Sequence, residues 1–554
     1  MEGETAMTRS LLVFCPGHPL TLDALMPRAV LSAAAGGLLD GGHETHILDL
    51  GTFEALEGPG AVPLRALFAA PPAAACRGLG AARRSRALFR QGVETIESAR
   101  VAMLLDTLKA HGPVDFIVYE AAGLADVRVL CQAAETVRRA HPRLPQFALG
   151  EAAHAWGPLL LDRCSAIDAL IDADPEFCLP ALAARIAAGR PWSDVPNLAL
   201  RANGAIVHTA VEAGTALELL PAPCYSPEVY PALRAGKLRV WPVEDSRGGD
   251  FGGFGAARPA LEQRQVRTRD AGAVCAAMDA LARDHGARTF YFPGESTPAA
   301  HLDALSYALL ARSVYVQYAR RGHIRQTDPV TASTLYTSGC QAVDFRIDTG
   351  SQRLMHDFYG HPFCVTEVEQ VLGACRRAGI FTAARFTYPC PEDDYHTQME
   401  TLRLVRRARP CAVSLTQAAL LPGSAWHACA QEFGFRLRSG FRADPAPWES
   451  LIPAPPSMRT MGPAQVIAAA AGMRALLAED GYDAPVSALE ALVARVCGAH
   501  GAEAPFAARI REALATLDAA TTRDMLGLFN AKATAPQNTI AFPRAVSVRA
   551  VVGN

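Results

Sequence analysis

Five glycines fall within the eight residues from Gly248 to Gly255, inside "WPVEDSRGGDFGGFGAARP" (Trp241 to Pro259), and the strand-like run "LRVWPVE" leads into them. A Gly-rich loop behind a strand lets backbone N–H groups close on an anion, so a phosphate cradle is the first chemistry to weigh. No Lys-Ser/Thr follows and the G-x-G-x-x-G spacing is not met, which removes both the P-loop and the dinucleotide fingerprint. The 14 cysteines are scattered with no C-x-x-C pair, which removes a zinc ribbon or a local iron–sulfur motif. They read instead as small core residues of a reducing compartment.

The elements that must position such a loop alternate between apolar strand runs and amphipathic helices. "SLLVFC", "ETHILDL", "VDFIVYEA", "PQFALGE" and "IDALIDA" form a first series, as expected for a parallel sheet covered on both faces. Ligands on such sheets sit beyond the strand C-termini, here Cys15-Pro16-Gly17-His18, Glu120-Ala121-Ala122 and Gly150-Glu151-Ala152-Ala153-His154. The insert from Phe53 to about Arg90 reads as a helical cap or a mobile loop. A short hairpin at Asn203-Gly204 and a proline-punctuated linker follow. "LRVWPVE", "RTFYFPGE", "SVYVQYA", "AVDFRIDTG", "FTAARFTYP" and "CAVSLTQA" make a second series of six strand–helix units, which predicts a partial α/β barrel. The last hundred or so residues read as a helical appendage with a loose tail. With 554 residues, half of them hydrophobic, sizeable cores can be buried. A net charge of −2 without a basic patch argues against nucleic acid. No apolar run is long enough to span a membrane, and a cytoplasmic protein is expected.

Taken in order, these segments resemble cobalamin-binding radical S-adenosylmethionine (SAM) proteins from roughly Ser10 to Leu437. "FALGEAAHAWGPLLL" and "IDALIDADPEFCLPALAARIAAGRPWSDVPNLALRANGAIVHT" are similar to that family's run from the cobalamin-domain loop to its hairpin. "FRIDTGSQRLMHDFYGHP", "FTYPCPEDDYHTQMET" and "ALLPGSAWHACAQEFGF" resemble its barrel turns. The resemblance implies a Rossmann-like cobalamin-binding domain (8–188), a hairpin and linker (189–237), a partial (β/α)6 TIM-type radical SAM barrel (238–440) and a C-terminal helical region (441–554). In the family, S-R-G leads into C-x-x-x-C-x-x-C, whose thiolates hold a 4Fe–4S cluster. Aligned on Ser246-Arg247-Gly248, those positions here are Gly249, Gly253 and Ala256, or Gly255 in the shifted register. None can ligate iron, so no 4Fe–4S cluster is expected and the radical route is closed.

The resemblance further implies cobalamin beside Pro16, Gly17, His18, Glu120, Ala121, Gly150, Glu151, Ala152 and His154. It is held without a protein cobalt ligand, because the D-x-H-x-x-G pattern is missing from the first domain. Asp394-Tyr395-His396 imitates the start of that pattern by coincidence. SAM, if still bound, meets Glu295 through its ammonium, and Asp348, Thr349 and Ser351 at the family's E-S-G-S positions; a solvated loop acid and a helix N-cap are the plainer readings. Phe251 and Phe254 either touch adenine or pack as wall aromatics. Arg385 either meets an anionic substrate or sits in a structural salt bridge. The implied function is a cobalamin-dependent enzyme, with or without SAM, acting on a small molecule by polar methyl or alkyl transfer or a related rearrangement in natural-product biosynthesis. The alternative is a non-catalytic cobalamin sensor or the partner of another enzyme.

Overall fold

The computed structural model describes residues 7–54, 79–212, 216–234, 236–249, 253–257, 266–312, 315–436, 448 and 455–534. Strands β1 (Arg9–Phe14), β2 (Glu44–Asp49), β3 (Phe116–Glu120), β4 (Gln146–Leu149), β5 (Ala169–Ile171), β6 (Leu198–Ala202) and β7 (Ala205–His208) form one sheet in the order 2-1-3-4-5-6-7. The first five run parallel and the last two antiparallel. β3, β4 and β5 are buried along their whole lengths, which is why they read as unbroken apolar runs rather than alternating ones. Asn203 and Gly204 both take positive φ (51° and 77°), the turn that matches strand twist in a two-residue hairpin. That hairpin is therefore the antiparallel edge of the first sheet.

The second sheet is parallel and strictly sequential: β8 (Trp241–Pro242), β11 (Thr289–Phe292), β12 (Gln317–Gly322), β13 (Cys340–Asp348), β14 (Phe381–Thr387) and β15 (Ala412–Thr416). Between β8 and β11, the two-residue strands β9 (Ser246–Arg247) and β10 (Arg267–Thr268) pair antiparallel and carry the glycine loop between them. Tyr318, Val343, Phe345, Ala384 and Val413 pack under the helices on the outer face of this sheet. The opposite face carries Ala319, Ala342, Ala383 and Ala412, small residues that leave room for a helix.

That helix is Ala488–Val496, almost every residue of which is buried. The sequence suggested an appendage; the structure instead packs this segment inside the half-barrel, against β12, β13 and β14. The Asp344 carboxylate accepts the Ala488 N–H at 3.2 Å, placing an acceptor on the helix's positive end. The helix thereby fills the N-terminal half of the half-barrel, on the face lined by Ala319, Ala342, Ala383 and Ala412.

Candidate functional site

A cavity of about 1000 Å³ lies where the C-terminal ends of both sheets face each other. Gly150, Glu151 and His154 line it from the first sheet, and Glu295, Arg321, Arg346, Asp348 and Arg385 from the barrel. Two strand-end constellations distant in sequence thus share one space.

Pro16, Gly17, His18, Glu120 and Ala121 lie outside it, because protein groups already fill the switch point between β1 and β3. The Gly17 N–H donates to Asp126 Oδ1 at 2.8 Å, and a side chain there would overlap Ala125. Arg100 donates to the Pro16 carbonyl. Glu120 is held by Arg28 through bonds of 2.5 and 3.2 Å, and the Arg28 guanidinium lies 4.1 Å over the Phe14 ring. His18 is buried against Phe89, and burial beside Arg100 and Arg128 pulls its pKa down to about 4, keeping the ring neutral. Ala121 gives its carbonyl to the Ala152 N–H at 3.1 Å, so Ala152 also packs behind the cavity wall. His154 faces the cavity, but its Nε2–H donates to the Ile171 carbonyl.

On the barrel side, Glu295 follows β11; Glu151 foremost, with Glu295 adding to it, favours the cationic form of Arg321, and Asp348 foremost, again with Glu295, that of Arg346. Asp348 ends β13 with φ at 66° and is fully committed within the protein. It accepts from Arg346 Nε (2.8 Å), His361 Nε2 (2.9 Å) and Thr387 Oγ1 (2.7 Å). Burial pushes its pKa up, but Arg346, His361 and Thr387 outweigh this and hold the carboxyl well below the usual range. Asp348 thus positions Arg346 and Thr387, both of which reach the cavity. Thr349 and Ser351 are buried behind it, the Thr349 hydroxyl accepting the Ser351 N–H at 3.1 Å. Phe254 packs on Phe433 at 5.6 Å, away from the cavity, and Phe251 lies outside the described residues.

His361 escaped the sequence reading, although it lies in the quoted "FYGHP". Its imidazole stacks on Phe363 at 4.7 Å and binds Asp348 from 13 residues away. Asp174 escaped too. It precedes the helix Pro175–Ala187 and receives Arg247 Nη1 at 2.5 Å and both Nη atoms of Arg267 at 2.8 Å; Arg247 also reaches Glu176 (2.8 Å) and Glu244 (2.7 Å). This buried network clamps β9 and β10 to the first domain. Asp-Pro opening an apolar helix was the visible trace of it.

The glycine positions do not fit an iron–sulfur cluster. Gly249 (φ 138°) abuts Ser296, where a Cβ would overlap the hydroxyl, and Gly253 (φ 64°) abuts the Tyr359 carbonyl. A Cβ on Gly255 would stand 2.6 Å from the Trp426 ring. Neither glycine nor Ala256 offers a donor, and among the described residues no three His, Cys, Asp or Glu side chains converge to hold a metal ion.

No protein-family model and no curated protein matches this sequence. Solved structures do match in fold. The radical SAM methyltransferase TsrM from Kitasatospora setae, with cobalamin and a 4Fe–4S cluster bound, superposes with a TM-score of 0.59 at 15% identity, over 83% of this chain and 84% of that one. TsrM with its tryptophan substrate and the SAM analogue aza-SAM gives 0.58 at 16% identity, over 83% and 82%. The cobalamin-dependent SAM radical enzyme OxsB, with aqua-cobalamin and SAM, gives 0.59 at 11% identity, over 77% of this chain and 61% of OxsB. The chain therefore has the two-domain fold of these cobalamin-binding radical SAM enzymes.

Proposed function

We propose that the chain is an enzyme that binds cobalamin between its two sheets and SAM at the barrel mouth, and transfers a methyl or other alkyl group to a small molecule by a polar route without a 4Fe–4S cluster. The observation that carries this reading is the single cavity shared by both sets of strand ends, a gap suited to a flat macrocycle covered from two sides. TsrM and OxsB bind cobalamin within the same fold, which supports it. When bound, cobalamin supplies a cobalt centre whose doubly reduced form is a strong nucleophile toward the SAM sulfonium.

The chain's residues supply the rest. Gly150 and His154 wall the first-sheet side, His154 being anchored there by its Nε2–H bond to the Ile171 carbonyl, and we give it a shaping role rather than that of a cobalt ligand. Glu295 complements the SAM ammonium, which there competes with Arg321 and Arg346, on both of which the Glu295 charge acts. Alignment and exclusion of water are the protein's contribution to a displacement of this kind. A second reading, a non-catalytic cobalamin sensor or a partner subunit, draws on the closure of the β1/β3 switch point by Arg28, Arg100 and Asp126.

Equilibrium dialysis with hydroxocobalamin should show retention, and the bound spectrum should be unchanged in His18→Ala and His154→Ala. SAM incubated with the reduced complex should yield S-adenosylhomocysteine; release of 5′-deoxyadenosine would overturn the polar route, and retention of cobalamin without any SAM binding would favour the sensor. Glu295→Ala should weaken SAM binding by about ten- to a hundredfold in calorimetry, the worth of one charge-assisted contact.

A further inference from the structure

We propose that Arg346 and Arg385 form a binding site for a carboxylate carried by the acceptor substrate. The two residues are direct partners in the β13–β14 register, and both line the cavity. Like charges set opposite each other on neighbouring strands repel, so a pair of this kind is stabilised by an anion placed between them. Arg346 is held at one edge by Asp348, which aims it. Arg385 Nε is buried and has no hydrogen-bond partner among the described residues. Asp344, whose carboxyl Arg385 acts on, gives Oδ1 to the Ala488 N–H, and burial pushes that carboxyl up to about 6 despite Arg385. A planar carboxylate matches the guanidinium fork.

The position favours the acceptor over SAM as the source of that carboxylate. Glu295, which takes the ammonium in the reading above, follows β11, while Arg385 stands on β14, three strands away, about 14 Å along the sheet. SAM carries its ammonium and carboxylate on one carbon, so with the ammonium at Glu295 its carboxylate could meet Arg346 on β13 but falls short of Arg385. The acceptor belongs at the β14 end, and it is an acid.

This inference rests on the cavity being a transferase site, but its test needs neither cobalamin nor turnover, so the two fail separately. Thermal unfolding is followed with benzoate, benzamide or phosphate at constant ionic strength, for wild type, Arg385→Leu and Arg385→Gln. Saturating benzoate should raise the wild-type midpoint by about 2–4 °C, benzamide should not, and both variants should lose the benzoate increment. Calorimetric titration of benzoate gives the same comparison if either variant folds poorly. Equal benzoate shifts in wild type and variants, or equal shifts with benzamide, would overturn the site; a response to phosphate alone would overturn the carboxylate. Loss of benzoate binding in the presence of SAM would assign the site to SAM and overturn the acceptor.

Discussion

Anaerobic reconstitution with iron and sulfide should leave this chain without cluster-stoichiometric iron and without the broad absorption of a 4Fe–4S centre. Restoring thiols should not rescue it: Gly249→Cys/Gly253→Cys/Ala256→Cys should bind no cluster and should be less stable than wild type. The reason is steric as well as chemical. A Cβ at Gly249 would meet Ser296 and one at Gly253 the Tyr359 carbonyl, and both glycines hold positive φ that a cysteine adopts only under strain. Protein has taken the volume that thiolates would need. Cluster iron at full stoichiometry in wild type, read by iron analysis and absorption, would refute this account of the loop.

Asp174→Ala should destabilise the folded chain by about 3–5 kcal/mol, the cost of stranding buried charges. Asp174 is buried and is the acceptor shared by Arg247 and Arg267, so its removal leaves two guanidinium groups competing for Glu176 and Glu244. Arg9→Ala, which breaks the exposed Arg9–Glu44 pair, should cost no more than about 1 kcal/mol and serves as the comparison. Burial raises the Asp174 pKa, but Arg267 and Arg247 outweigh burial and lower it. A depressed carboxylate contributes stability that is complete above its unfolded pKa, about 3.9, and is lost as pH falls through the folded value. The gap between wild type and Asp174→Ala should therefore be constant near neutrality and close in acid below about pH 4. Urea unfolding across that range checks both the size and the sign; a gap that widens in acid would count against the clamp.

The strands and the two-sheet order were legible because buried parallel strands leave unbroken apolar runs and because glycine or Asn-Gly marks their turns. Gly150, Glu151, His154, Glu295, Asp348 and Arg385 were reachable as strand-end residues, and the cavity collects all six. Pro16 to His18 satisfied the same rule, yet groups 84 to 109 residues farther along, Arg100 and Asp126, seal their turn, and no local pattern encodes such a partner. The role of Asp348 was obscured in the same way. Its partners His361 and Thr387 lie 13 and 39 residues away and make a buried anchor of a residue that read as a SAM contact or a helix N-cap. The residues of Ala488–Val496 announced a helix plainly, but where a short apolar helix docks is decided by which concave face is lined with alanine.

That placement has a consequence for how the chain reaches its native state. Ala488 meets Asp344 across 144 residues, and Asn530 bonds the Lys237 carbonyl across 293. Contacts so distant in sequence close slowly, since loop entropy is lost before they repay it. During synthesis the six barrel strands emerge well before the helix that fills them, and until it arrives the alanine-lined face of β12 to β15 stands open to water. A half-barrel in that condition is an aggregation hazard and a natural client for a chaperone, so the final helices complete the barrel's core after everything around it has been made.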